Sequence, residues 1–158
     1  MLARNISLAL VLAGSLFTAQ AQPSLQELVG EAQAEWMMGS WKGTTDNGDT
    51  FSLSFAWELD KKIVVMKGAA GEMSYLGVTS IDPTTGEPTY AGYDNRGGRS
   101  KGAWAEESGD MALKLESTNP TEGTRKFAVV FGRASDGGLD FRMHGVDDWG
   151  YLSYPAMA

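Results

Sequence analysis

The chain has 158 residues, no cysteine, and a formal net charge of −7 at pH 7. That charge repels phosphate backbones, and with no run of Lys or Arg it weighs against nucleic acid as a partner. Five Trp, six Phe and five Tyr supply enough apolar surface for one folded domain, and the absence of Cys rules out a disulfide framework or an acylated lipoprotein cysteine.

Residues 1–21 have the pattern of a removable export signal. Arg4 precedes an apolar stretch over 6–17, and Ala19-Gln20-Ala21 offers small residues for cleavage. The stretch is shorter than the roughly 20 residues a membrane-spanning helix requires. The expected mature unit, residues 22–158, is one unit more negative because Arg4 is lost. Export without disulfides is commonest in bacteria, so the expected location is the periplasm or the secreted fraction, without membrane insertion.

The helical part of the mature chain is expected at 24–35. Ser24 and Glu27 have capping-box spacing, and Leu25, Leu28, Val29, Ala32 and Trp36 recur on one stripe. So short a helix must lie on the remaining structure. From Ser40 onward the period becomes two. Phe51, Leu53, Phe55, Trp57 and Leu59 alternate with smaller or polar residues, which describes a strand with one buried face. Further strands are expected at 40–45, 62–68, 73–81, 89–94, 100–106, 111–116, 125–133, 139–144 and 149–154. Asn47-Gly48, Gly71, 82–86, Gly97-Gly98, Ser108-Gly109, 119–123 and 136–138 supply turns too short for parallel crossovers. An all-β, up-and-down antiparallel barrel of about eight to ten strands follows, with one short N-terminal helix closing an end.

Where the helix hands over to the first strand, Gly39-Ser40-Trp41-Lys42-Gly43 resembles the Gly-x-Trp opening of the calycin superfamily of lipocalins and fatty-acid-binding proteins. With Phe55-Ala-Trp-Glu-Leu-Asp-Lys-Lys62 it is similar, more narrowly, to uncharacterised lipocalin-like secreted bacterial domains. The resemblance implies a calycin-like barrel in which Gly39 and Trp41 form the plug of the closed end, beneath a basic side chain such as Arg142 or Arg133. Independently of family, an indole at a barrel end buries a large area and needs an acceptor for its N–H.

No nucleophile elbow, phosphate loop or zinc signature is present, and the pairs Glu106-Glu107 and Asp147-Asp148 are adjacent residues that do not share a strand face. No catalytic residue is assigned. His144 is the single histidine, a weak metal candidate without a second nitrogen or sulfur ligand, and parity with Arg142 turns it outward if Leu139, Phe141 and Met143 face inward. The expected function is binding of a small apolar or amphipathic molecule in the barrel. Its candidate wall is Phe55, Trp57, Tyr75, Tyr93, Trp104, Phe127 and Phe131, with Arg142 meeting an anionic head group. Arg125 and Lys101 are further cations for that head group, and Met37, Met38, Met66, Met73, Met111, Met143 and Met157 are suited to an adaptable pocket or an irregular core. Fatty-acid-binding proteins hold a carboxylate with Arg-x-Tyr, where this chain has Arg142-Met143-His144. Two alternatives stay open. One is a haem-binding or acid/base protein centred on His144 with Asp147 or Asp148, as in the nitrobindin-like barrels that share Gly-x-Trp-x-Gly. The other is a filled barrel acting through its surface.

Overall fold

The computed structural model describes residues 22–44 and 48–154, and the expected export segment and Met157 lie outside them. Ser24 caps helix α1 (Leu25–Glu31): its Oγ accepts from Glu27 N–H at 3.3 Å, and the Glu27 carboxylate accepts from Ser24 N–H at 2.7 Å. That N–H and the Ser24 hydroxyl, which donates to the same carboxylate at 2.8 Å, favour the ionised form and hold the Glu27 carboxyl below its ordinary value. The helix is one turn shorter than its apolar stripe predicts. Gln33 takes a left-handed conformation (φ 51°), Ala34 N–H donates to Val29 O, and the chain continues as a 3₁₀ turn over Glu35–Met37. The kink still delivers Leu25, Ala34 and Met37 to the core.

Nine antiparallel strands follow in sequence order: β1 (Gly39–Thr44), β2 (Thr50–Glu58), β3 (Ile63–Ala70), β4 (Met73–Ile81), β5 (Pro88–Asp94), β6 (Arg99–Glu107), β7 (Asp110–Asn119), β8 (Gly123–Arg133) and β9 (Leu139–Gly145). They form an up-and-down, nearly closed barrel. Each neighbour is reached by a short turn, so every pairing is local and antiparallel. Leu59 is not part of the strand its alternation suggests. It opens a turn in which Leu59, Asp60 and Lys61 all have positive φ, and its side chain is exposed. The expected tenth strand at 149–154 is reduced to a single bridge, Val146 to Leu152.

The inward set runs in register across the sheet: Phe55 opposite Met66, Met66 opposite Gly77, Gly77 opposite Gly92, then Gly102 opposite Leu115 and Leu115 opposite Phe127. Leu53, Phe55, Val64, Met66, Tyr90, Leu113, Leu115 and Phe131 form the core. Three glycines make room for two phenol rings. A Cβ on Gly77 or Gly92 would overlap the Tyr90 ring, and one on Gly68 would overlap Tyr75. Strand glycine here allows close approach that any side chain would block. These rings and the aliphatic core occupy the middle of the barrel, with Tyr75 toward the end remote from α1.

A candidate ligand cavity beneath the N-terminal helix

At the other end the barrel is not filled. A cavity of about 610 Å³ lies between α1, the 3₁₀ turn, the β4–β5 turn and the upper ends of β2, β3, β4, β6 and β7. Its roof is Leu25, Leu28, Val29, Ala34, Met37 and Met38, held down by burial of Leu25 and Met37. Its floor is Phe55, Val64, Thr79, Trp104 and Met111. Phe131 supports that floor: its ring lies 5.6 Å from Phe55 at 86° and 5.7 Å from Trp104. Gln22, Thr85 and Glu87 line the cavity and are themselves exposed, so it opens to the surface beside the β4–β5 turn.

One polar side chain stands on this apolar floor. Thr79 is 5% exposed, and its Oγ1 accepts from the Trp104 indole N–H at 2.9 Å. The hydroxyl hydrogen has no acceptor among the described residues, which leaves one donor for a guest atom. Among the described residues, no Lys, Arg or His lines the cavity.

The wall residues expected from sequence separate into groups. Phe55 and Trp104 line the cavity, with Phe131 directly behind them. Trp57 and Phe127 are half-buried and pack on the core without lining it. Tyr75 covers Gly68 at the far end, beside a shallow groove shared with Leu76 and Tyr93, and Tyr93 is an exposed outer-face residue paired with Leu76. Burial pushes the Tyr75 and Tyr90 hydroxyls above the ordinary tyrosine value.

Arg142 is on the outer face of β9, away from the cavity. It pairs with Asp110 and, through Nε at 3.0 Å, with Asp140. Lys101 and Arg125 pair with Glu116 and Glu122, and Arg133 is exposed. Trp41 is half-buried, donates its indole N–H to Met37 O at 2.9 Å, and meets Trp36 edge-on at 6.3 Å. Gly39, with φ 126°, makes the bend from the 3₁₀ turn into β1. Of the methionines, Met37, Met38 and Met111 line the cavity, Met66 is core, Met73 is half-buried, and Met143 is exposed.

His144 faces outward, yet it is only 1% exposed. The segment 146–154 folds back over it: Ser153 N–H donates to Gly145 O at 2.8 Å, His144 Nδ1 lies 2.9 Å from Ser153 O, and the Tyr154 ring meets the imidazole at 4.8 Å, tilted by 55°. Because Ser153 O only accepts, Nδ1 carries the hydrogen. Lys114 Nζ, donating to Gly150 O, and Lys126, paired with Asp148, tie this segment to β7 and β8. Asp147 caps its turn by accepting from Trp149 and Tyr151 N–H. His144 and Asp147 thus take structural contacts outside the barrel. No cluster of three metal-ligating side chains occurs among the described residues.

Thr79, Val64, Leu25, Leu28, Val29 and Pro88 line the cavity and are absent from the wall expected from sequence. Thr79 carried a usable signal, as the one aliphatic hydroxyl in the inward series Tyr75, Gly77, Thr79, Ile81. No family model, curated protein or solved structure matches the chain.

Proposed function

We propose that this chain is a non-enzymatic binding protein that takes one small apolar or amphipathic molecule into the cavity beneath α1. The observation that carries this reading is the cavity itself. Its volume falls within the roughly 300–1,000 Å³ of small-molecule sites, and its walls are apolar around a single buried hydroxyl with a donor to spare. The Gly39-x-Trp41 opening, the helix over one end and the meander order support placement in the calycin superfamily. The pattern of residues 1–21 supports export to the periplasm or medium.

The test is titration of chain 22–158 with the neutral dye N-phenyl-1-naphthylamine. Saturable enhancement at one site per chain, with Kd near 1 µM (about −8 kcal/mol), is the expected result. Leu28→Trp, which places an indole in the roof, should weaken it about tenfold. If no apolar probe binds, the filled-barrel alternative replaces this reading, with the exposed Trp149 and Tyr151 as its natural contact surface.

A further inference from the structure

We infer that the cavity selects amphiphiles with a positively charged head group, and this rests on the binding function proposed above. Three glutamates from three different elements line it: Glu31 at the end of α1, Glu87 in the β4–β5 turn, and Glu106 near the end of β6. All three are exposed, and none has an ion-pair partner among the described residues. Lys61, Lys62 and Arg133 lie outside the lining and form no ion pair with Glu31, Glu87 or Glu106. The C-terminal end of α1 reaches the cavity at Glu31 and Ala32 with no basic residue in its last turn, so its carbonyl end adds the same sign.

The electrostatics and the apolar walls therefore act on different parts of one guest. A chain or ring system enters between α1 and the floor, where Thr79 donates to any acceptor it carries. A head group left at the rim meets three negative charges beside low-dielectric walls, which concentrate their field. An ammonium is attracted there and a carboxylate repelled. This is the reverse of the anionic head group that Arg142 suggested from sequence, and the reason is positional: Arg142 lies on the outer face in contact with Asp110 and Asp140.

Competition against the neutral dye with decylammonium, 1-decanol and decanoate, all below their aggregation concentrations, tests the charge preference. Decylammonium should bind about tenfold more tightly than decanoate at low salt, with decanol between them. The ratio should shrink as ionic strength rises, because rim charges are screened. In the triple variant Glu31→Gln/Glu87→Gln/Glu106→Gln the ammonium-to-carboxylate ratio should approach one. The salt series on the natural chain provides the test if that variant fails to fold. Dye binding with decanoate equal to or tighter than decylammonium overturns the charge preference and leaves the binding function standing. Absence of dye binding removes both.

Discussion

One of the tightest geometric demands in the barrel is the one Tyr90 makes on Gly77. Tyr90 is 5% exposed, and a methyl group on Gly77 would occupy space held by its ring and hydroxyl. Gly77→Ala should therefore cost about 1–3 kcal/mol, the range for overpacking a filled interior. Tyr90→Ala alone should cost about 3–5 kcal/mol as an aromatic deletion from a core. The informative quantity is their coupling. With the ring removed the clash vanishes, and the new alanine even lowers the entropy lost on folding by up to about 1 kcal/mol. The double variant should then be more stable than the sum of the singles by about 1–3 kcal/mol. Urea unfolding of all four proteins, followed by tryptophan fluorescence, measures it. Additivity within about 0.5 kcal/mol would show that the ring does not rest on Gly77, and that the barrel centre is packed differently.

Three further outcomes are expected. Trp41→Ala should destabilise by about 3 kcal/mol, the low end for an indole because the ring is half-buried, and a loss under about 1 kcal/mol in the same urea assay would remove its plug role. Tyr75 and Tyr90 are held above the ordinary value of 10.0, by desolvation in both cases and secondarily by their mutual repulsion at Tyr90, so their stabilisation is complete below pH 10 and is lost as pH rises above it. Tyr90→Phe should flatten the alkaline fall in stability, and an unchanged slope between about pH 10 and 12 contradicts that burial. His144→Ala should free the segment 146–154, raising amide exchange at Ser153 with a loss of about 1–3 kcal/mol, whereas unchanged exchange would mean that the two lysines and the backbone bond to Gly145 hold it without the imidazole.

The fold was legible because its signals are local. The period-two run in β2, the capping pair Ser24 and Glu27, and the short Gly-containing turns each act over a few residues, and an antiparallel meander needs little else. The helix end was misjudged by its stripe: Ala32 and Trp36 continue the apolar spacing, but Gln33 leaves the helical conformation. Leu59 shows the same limit in a strand, since alternation cannot register a turn built from three positive-φ residues. The site was only partly legible. Phe55 and Trp104 follow from aromatic content and parity, but the cavity depends on which barrel end is empty, a property of packed volume across the helix, the turns and most of the strands. The inward glycines Gly68, Gly77 and Gly92 carried that information in part, because a side chain missing from a strand interior marks where a neighbour's ring must lie. For His144, parity gave the face, and burial came from a tail whose return path is set by hydrogen bonds to Gly145 and Lys114.

The cavity claim is tested most directly at Trp104, whose indole N–H is bonded to Thr79 on the cavity floor, while Trp149 is 85% exposed outside the barrel. A two-dimensional ¹H–¹⁵N spectrum of chain 22–158, titrated with decylammonium, resolves the five indole N–H signals, assigned by single Trp→Phe substitutions. The account predicts a saturable shift of the Trp104 signal at one equivalent, with amide shifts in α1 and at Thr79 and no change at Trp149. A Trp104 signal that stays fixed to saturating ligand, or a response confined to Trp149, would contradict it.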